Sequence, residues 1–297
     1  MKIRILGSCA GGGLPQWNCG GEYSVRARAD DPAVPSRTQP SLAVSADGER
    51  WCVINASPDI RQQMTAFPPL HPEQGTRDVP LDTVLLTSAE LDHAMGLLIL
   101  REALSYRILS TPWVRASILE HNSAFRLLES VWEPIEVGKP LNLDSTGRLQ
   151  ARLFPVAPKI PPYLRGIASA ASDTTVGLRL TDTSTGRRLV FVPGMKSLTT
   201  EILKELEQAD CRIVDGTFST ADELLAMRPG APDAVAMGHM PILGSEGSLE
   251  ALQSMEGRSL YIHMNNTNPI LDSHSEATAA VRAAGVEIAQ DGMEFEL

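Results

Sequence analysis

The chain has 297 residues, 43% hydrophobic and 21% charged, with a formal net charge of −10. That length supports a full core in one domain spanning 1–297, and an acidic balance without a basic cluster excludes nucleic acid as an expected partner, because phosphate neutralisation requires grouped Lys and Arg. The longest apolar run, 94–100, is far short of the roughly 20 residues a membrane helix needs. The start, Met1-Lys2-Ile3-Arg4-Ile5-Leu6, alternates as a strand does and is too short for a signal-peptide core, so no membrane association and a cytoplasmic location are expected. Cys9, Cys19, Cys52 and Cys211 contain no C-x-x-C pair, which leaves reduced, mostly buried thiols as the expectation.

In chain order, β-type runs fall at 2–6, 41–45 and 51–55, the last two joined through Ala46-Asp47-Gly48, where Asp-Gly supplies a hairpin turn. A strand at 83–86 leads into a helix from 92 to about 104, and a further helix is expected over 117–131. Strands follow at 149–156, 176–181 and 189–193. The last third alternates: helix 199–207, strand 211–214, helix 248–255, strand 259–263, helix 276–284 and strand 286–289. Ser273 and Glu276 have the S-x-x-E spacing of a capping box at the start of the final helix. Two β-rich halves, each finished with helices, predict an α/β sandwich of two packed sheets with helices on both outer faces. The segment 155–172, with four prolines, reads as a loop over one end of that core.

Six histidines need weighing. His71 lies in a Pro-rich loop, His121 among helical neighbours and His274 beside a serine, all ordinary structural settings. His93, His239 and His263 differ, because each follows an apolar segment where a strand or loop meets the next element, and ligands collect at such strand ends. Asp92 alone is a plausible helix N-cap. Asp215, in Val214-Asp215-Gly216-Thr217, adds a second carboxylate at a strand end, and Asn265 and Asn266 crowd amides behind His263.

The segment Thr87-Ser88-Ala89-Glu90-Leu91-Asp92-His93 resembles a metallo-β-lactamase-type metal loop, H-x-H-x-D-H, with its first two histidines replaced by Ser88 and Glu90. More widely, Gly7-Ser8-Cys9-Ala10-Gly11-Gly12-Gly13-Leu14-Pro15-Gln16-Trp17-Asn18-Cys19, Asn55-Ala56-Ser57-Pro58-Asp59-Ile60-Arg61, Leu97-Leu98-Ile99-Leu100-Arg101-Glu102, Met237-Gly238-His239 and Ile262-His263-Met264-Asn265-Asn266-Thr267-Asn268-Pro269-Ile270-Leu271 resemble the coenzyme PQQ synthesis protein B family, in family order over nearly the whole length. The resemblance implies a metallo-β-lactamase-type αββα sandwich. It also implies an iron-dependent oxygenase that hydroxylates a tyrosine-derived ring of a peptide precursor, with O2 as co-substrate and a peptide-carrier or pathway protein as partner.

Set beside two-metal members of that superfamily such as ribonuclease Z, the first-metal positions here read Ser88 and Glu90, and the bridging aspartate position reads Gly194. The second-metal positions map onto Asp92, His93 and His263. Two imidazoles and one carboxylate form the facial triad of non-haem Fe(II) oxygenases, although a mononuclear Zn(II) hydrolase of a phosphodiester, ester or amide can use the same ligands. A non-catalytic carrier of a pathway intermediate is the third reading. His239 is assigned proton transfer with Asp215 orienting its ring, or else a structural bond to a backbone carbonyl, and either residue can instead complete the metal shell. Ser88 and Glu90 border the space of the missing ion and are assigned to substrate, as are Asn265 and Asn266. Arg37, Asp59 and Arg61 either bind the charged groups of a peptide or form a structural ion pair. The family's zinc-binding C-x-C-x-x-C continues here as Cys19, Gly21 and Ser24, and the stretch 227–236 also departs from the family pattern, which leaves open a different peptide or amino-acid substrate.

Overall fold

The computed structural model describes residues 1–102 and 105–297. β1 (Lys2–Gly7), β2 (Ser41–Ser45), β3 (Trp51–Ile54), β4 (Leu81–Leu85), β5 (Arg107–Ser110) and β6 (Trp132–Pro134) build one sheet. β7 (Pro140–Asn142), β8 (Leu149–Pro155), β9 (Val176–Asp182), β10 (Arg188–Val192), β11 (Cys211–Asp215), β12 (Arg258–Ile262) and β13 (Glu287–Ile288) build the other, and β14 (Glu294–Glu296) returns to the first. The orders are β14-β1-β2-β3-β4-β5-β6 and β13-β12-β11-β10-β9-β8-β7. Each sheet is mixed in the same way. The β1/β2 and β2/β3 pairs are antiparallel, whereas β3, β4, β5 and β6 run parallel; β7 to β10 pair antiparallel, then β10 to β13 in parallel. Antiparallel neighbours need only short turns, as at 46–48, while parallel ones need the longer crossovers that carry helices.

Because side chains alternate along a strand, each sheet has two apolar faces. Ile3, Ile5, Leu42, Val44 and Ile54 meet Leu153, Leu178, Leu180, Phe191 and Ile213 between the sheets. Each such fully buried side chain contributes about 1.5–3 kcal/mol relative to exposure. Val53, Val84 and Ile108 on the outer face of the first sheet lie under the helices Ile60–Thr65 and Pro112–His121. Val190, Val214 and Tyr261 on the second lie under Thr200–Glu207 and Glu276–Ala283. The architecture is the αββα sandwich expected from the sequence, and no helix among the described residues is long and apolar enough to cross a membrane.

Several local expectations change. The helix expected over 92–104 is broken into Leu91–Ala94, Gly96–Ile99 and a 3-10 turn at Leu100–Glu102; its far end, Leu104, lies outside the described residues. Gly96 explains the first break: its N–H donates to the Ala56 carbonyl at 2.9 Å, and a Cβ there would come 2.2 Å from the Ser57 oxygen. The 117–131 helix is instead Pro112–His121 followed by a 3-10 run, Ser123–Val131. Its start is set by Thr111, whose Oγ1 accepts from the Val114 N–H, and by Pro112 in the first turn. The final helix is capped by Ser275 and not by Ser273, with the Thr278 N–H donating to Ser275 Oγ at 3.0 Å. The short strands β5, β6, β7 and β14 were not expected, since each is too brief to show a period.

The loop that lacks the family's thiolates is ordered by an organic cation. Residues Glu22–Arg28 form a helix, and Arg28 donates to the carbonyls of Gln16, Trp17, Cys19 and Ser24 at 2.5, 3.3, 2.7 and 3.4 Å. Cys9, Cys52 and Cys211 are free and buried, and Cys19 is free and half-buried.

Gly96→Ala forces the docked backbone apart, so the expected loss of stability is about 1–3 kcal/mol. Thermal unfolding measures it, and an unchanged midpoint would show that the chain relaxes freely around the extra methyl.

Candidate metal centre

The loop after β4 is shaped by Asn55, which follows β3 in the left-handed region at φ 59°. Its side chain receives the Thr87 N–H at 2.9 Å and donates to Thr87 Oγ1 at 3.0 Å. Thr87 and Ser88 in turn hold the His93 ring, with Nδ1 at 2.8 Å from Ser88 Oγ and 3.4 Å from Thr87 Oγ1. Nε2 of His93 is buried without a hydrogen-bond partner among the described residues. Burial lowers the His93 pKa from its ordinary 6.5 to about 4, so the imidazole is neutral.

His263 arrives from the other sheet, directly after β12, at φ 64°. A non-glycine residue holds that conformation only when its surroundings fix it. Here the next residue is clamped: the Met264 N–H donates to the Ser8 oxygen at 3.1 Å and its carbonyl accepts from Ala10 at 2.8 Å. His263 presents Nδ1 to Thr217 Oγ1 at 2.8 Å and Nε2 to Asp92 Oδ2 at 3.2 Å. Burial acts to raise the Asp92 carboxyl, but His93 and His263 outweigh it and hold it well below the usual carboxylate range. Donor atoms of Asp92, His93 and His263 lie within 4.8 Å of one another. A buried, unpartnered imidazole nitrogen beside a converging imidazole and carboxylate is a donor set that fits one transition-metal ion.

Asp215, His239 and His263 form a second cluster of the same compactness, but its carboxylate is already saturated by hydrogen bonds. Asp215 Oδ1 accepts from the Thr217 N–H and Oγ1 at 3.0 and 2.5 Å, and Oδ2 from the Met195 N–H and His239 Nδ1 at 2.8 and 2.7 Å. With its proton given to Asp215, the Thr217 hydroxyl accepts from His263 Nδ1. This arrangement assigns Nδ1 as a protonated nitrogen of both histidines, which leaves Nε2 of His239 facing Lys159 and Nε2 of His263 facing Asp92. Burial pushes His239 down in spite of Asp215, while Asp215 is lowered because His239, His263 and Thr217 overcome its burial. His239 thus bonds a carboxylate, not the backbone carbonyl of its structural alternative, and Phe218 packs edge-on at 6.0 Å.

The residues assigned to substrate scatter. Ser88 is 1% exposed and its oxygen serves His93, so it supports a histidine instead of facing open space. Glu90 Oε1 lies 3.2 Å from Lys159 Nζ. Asn265 is half-buried and donates to Thr267 Oγ1, and Asn266 lines a cavity of about 430 Å³ with Tyr23 and Glu223. The structural member of the asparagine run is Asn268, whose amide holds the Gly216 and Thr217 carbonyls at 2.9 and 3.2 Å. Arg37 is buried on Ser8 Oγ and the Ala289 carbonyl, and Asp59 accepts from Gln39. Arg61 is exposed and shares a cavity of about 600 Å³ with Asp59. Among the described residues no ion pair joins these three, so that alternative is corrected: each charge is met by local neighbours or solvent. A Cβ at Gly194 would meet nothing within 4 Å, so no side chain fills that position. His71, His121 and His274 lie on the surface. Thr217 and Lys159 were not singled out from the sequence; Thr217 sits in a quoted segment, whereas Lys159, in the 155–172 loop, carries no local signal.

Two mixed sheets that converge metal donors at one end define a member of the beta-lactamase superfamily, and the model for the Beta-lactamase superfamily domain matches residues 50–264. A diphosphatase from the PhnP family shares the fold, with a TM-score of 0.66 at 17% identity over 100% of this chain and 96% of that one. Coenzyme PQQ synthesis protein B of Methylobacterium nodulans is 42% identical over 100% of both chains. The crystal structure of Zn(2+)-bound PqqB from Methylobacterium extorquens superposes with a TM-score of 0.93 at 38% identity, again over 100% of both. The chain belongs to the coenzyme PQQ synthesis protein B family.

Thr217→Val removes the hydroxyl between Asp215 and His263 with little change of shape; loss of such an orienting partner typically weakens metal affinity about 10–100-fold, and competition with a chromophoric chelator reads it. Acidification has a definite sign in the metal-free protein. His93 and His239 are held below 6.5 by burial, so the unfolded chain takes up protons first. Their contribution to stability is full above about 6.5 and is lost as the pH falls, for His93 through about 4. Urea unfolding across that window should show declining stability, and a rise on acidification would contradict the assignment.

Proposed function

We propose that this chain is a mononuclear non-haem iron, O2-dependent hydroxylase of a tyrosine-derived or other amino-acid side chain in a peptide-derived intermediate of PQQ synthesis. The observation that carries this reading is the single three-donor face of Asp92, His93 and His263, with His93 Nε2 unpartnered, beside positions where a second ion would find Ser88 engaged, Glu90 paired with a lysine and no side chain at Gly194. Fe(II) bound on that face supplies open positions for substrate and O2. Phosphodiester hydrolysis profits from two ions clamping attacking and leaving oxygens, a benefit this arrangement does not offer.

The chain's own part is proton handling and orientation. His239 Nδ1 is committed to Asp215, which leaves Nε2 as the basic atom; it lies 3.1 Å from Lys159 Nζ and takes the proton of a phenol once the substrate hydroxyl displaces the ammonium from it. Asp215 and Thr217 fix that ring and the His263 ring together, so the base and the metal ligand keep their relative position. In the overall reaction one oxygen atom enters the substrate, the other leaves as water, and an external reductant supplies two electrons. Membership of a family named for PQQ synthesis supports the pathway.

A zinc hydrolase is the second reading, favoured by the zinc in the Methylobacterium extorquens relative. Anaerobic Fe(II) loading, followed by oxygen uptake and mass analysis of tyrosine-containing peptides with ascorbate present, separates the two. The expected result is uptake with gain of one oxygen atom in the product; equal turnover with Zn(II), or no oxygen gain on any aromatic peptide, would overturn the hydroxylase. His239→Gln should lower kcat by about 10²–10⁴-fold with metal content unchanged.

A further inference from the structure

Lys159 is not among the residues that would hold the ion, yet its side chain is delivered into the centre by several independent features. It rises from the loop between β8 and β9, where its backbone N–H donates to Thr175 Oγ1 at 3.3 Å. The stem crosses Gly238, at which a Cβ would come 2.9 Å from the lysine Cδ. Gly238 also has φ 92°, so a larger residue is opposed there by both conformation and space. The ammonium ends 3.2 Å from Glu90 Oε1 and 3.1 Å from His239 Nε2, with the side chain 30% exposed. Glu90 Oε1 is buried, and among the described residues it has this ion-pair contact and no hydrogen bond. His239 Nε2 carries a lone pair, because Nδ1–H is taken by Asp215.

A carboxylate oxygen and an imidazole nitrogen aimed at one point are a donor pair for a divalent cation. That point adjoins the Asp92, His93 and His263 face, since Glu90 is two residues from Asp92 and the His239 ring stacks on His263 at 5.4 Å. The position is taken by an ammonium, which hydrogen-bonds His239 Nε2, lies in ion-pair contact with Glu90 Oε1 without a hydrogen bond to it, and offers no open coordination position. We propose that Lys159 is an internal cation in the place of a second metal ion, and that it limits the centre to one. The proposal rests on the reading that Asp92, His93 and His263 hold an ion, but not on which ion or which reaction.

Equilibrium dialysis of the full chain against excess Co(II) or Zn(II), with elemental analysis of the bound metal, tests it without any turnover. One ion per chain is expected for the unaltered protein. Two are expected for Lys159→Ala and for Lys159→Met, the latter keeping an apolar stem against Gly238 if the alanine variant does not fold. Adding Glu90→Ala to either should return the count to one. A count that stays at one in the folded lysine variants, or stands at two in the unaltered chain, would overturn the proposal. An unaltered chain that binds no ion would remove the metal reading as well, whereas a failed oxygen-uptake experiment alongside a rise from one to two would leave Lys159 in its role.

Discussion

Face-to-face packing of the two sheets is the constraint on which the centre depends. Asp92 and His93 follow β4 in one sheet and His263 follows β12 in the other, so no local segment can assemble the three donors. Their spacing is inherited from the interdigitated layer of Ile5, Leu42, Ile54, Phe191 and Ile213. The Met264 clamp onto Ser8 and Ala10 then locks the register of the two sheets at the end where the three side chains emerge. A core substitution that lets the sheets slide by a fraction of an ångström would be felt at the centre before it was felt as unfolding, because metal ligation tolerates less displacement than packing does.

Within that frame a few polar groups settle the histidines. One hydroxyl, Thr217, touches Asp215, His239 and His263, and one carboxylate, Asp215, is saturated by four donors. Such a network is costly if any member is missing and rigid when complete. It makes the two neighbouring imidazoles unequal in duty although they stack. One faces the Asp92 carboxylate, the other a cation that is part of the chain.

Much of the fold was legible in the sequence because its longer strands alternate cleanly, and β2 emerged with the expected ends. What escaped was brief or tertiary. β5, β6, β7 and β14 are three or four residues long and exist because a neighbouring strand is already in place. The helix after His93 breaks because Gly96 docks on Ala56, a contact between segments that no periodicity records. At the centre, residue type and place along the chain single out His93, His239 and His263, and only the resemblance to the metal loop adds Asp92. Lys159 is singled out by neither, because a lysine in a proline-rich loop looks solvated until the fold brings Glu90 and His239 to it. Arg37 and Asp59 show the converse: charged residues in a family-like segment suggest a ligand or an ion pair, and in the fold they bond Ser8, Ala289 and Gln39, with Asp59 also lining a cavity beside Arg61.

The Arg28 guanidinium, which gathers four carbonyls in the loop where the family pattern has zinc-binding thiolates, has a consequence for how the protein matures. A zinc-ordered loop waits for a metal to be delivered and for its thiols to stay reduced. An arginine is incorporated during translation and cannot be chelated. This segment therefore reaches its final shape on the timescale of folding alone, and a cell starved of zinc would order it as well as one that is replete.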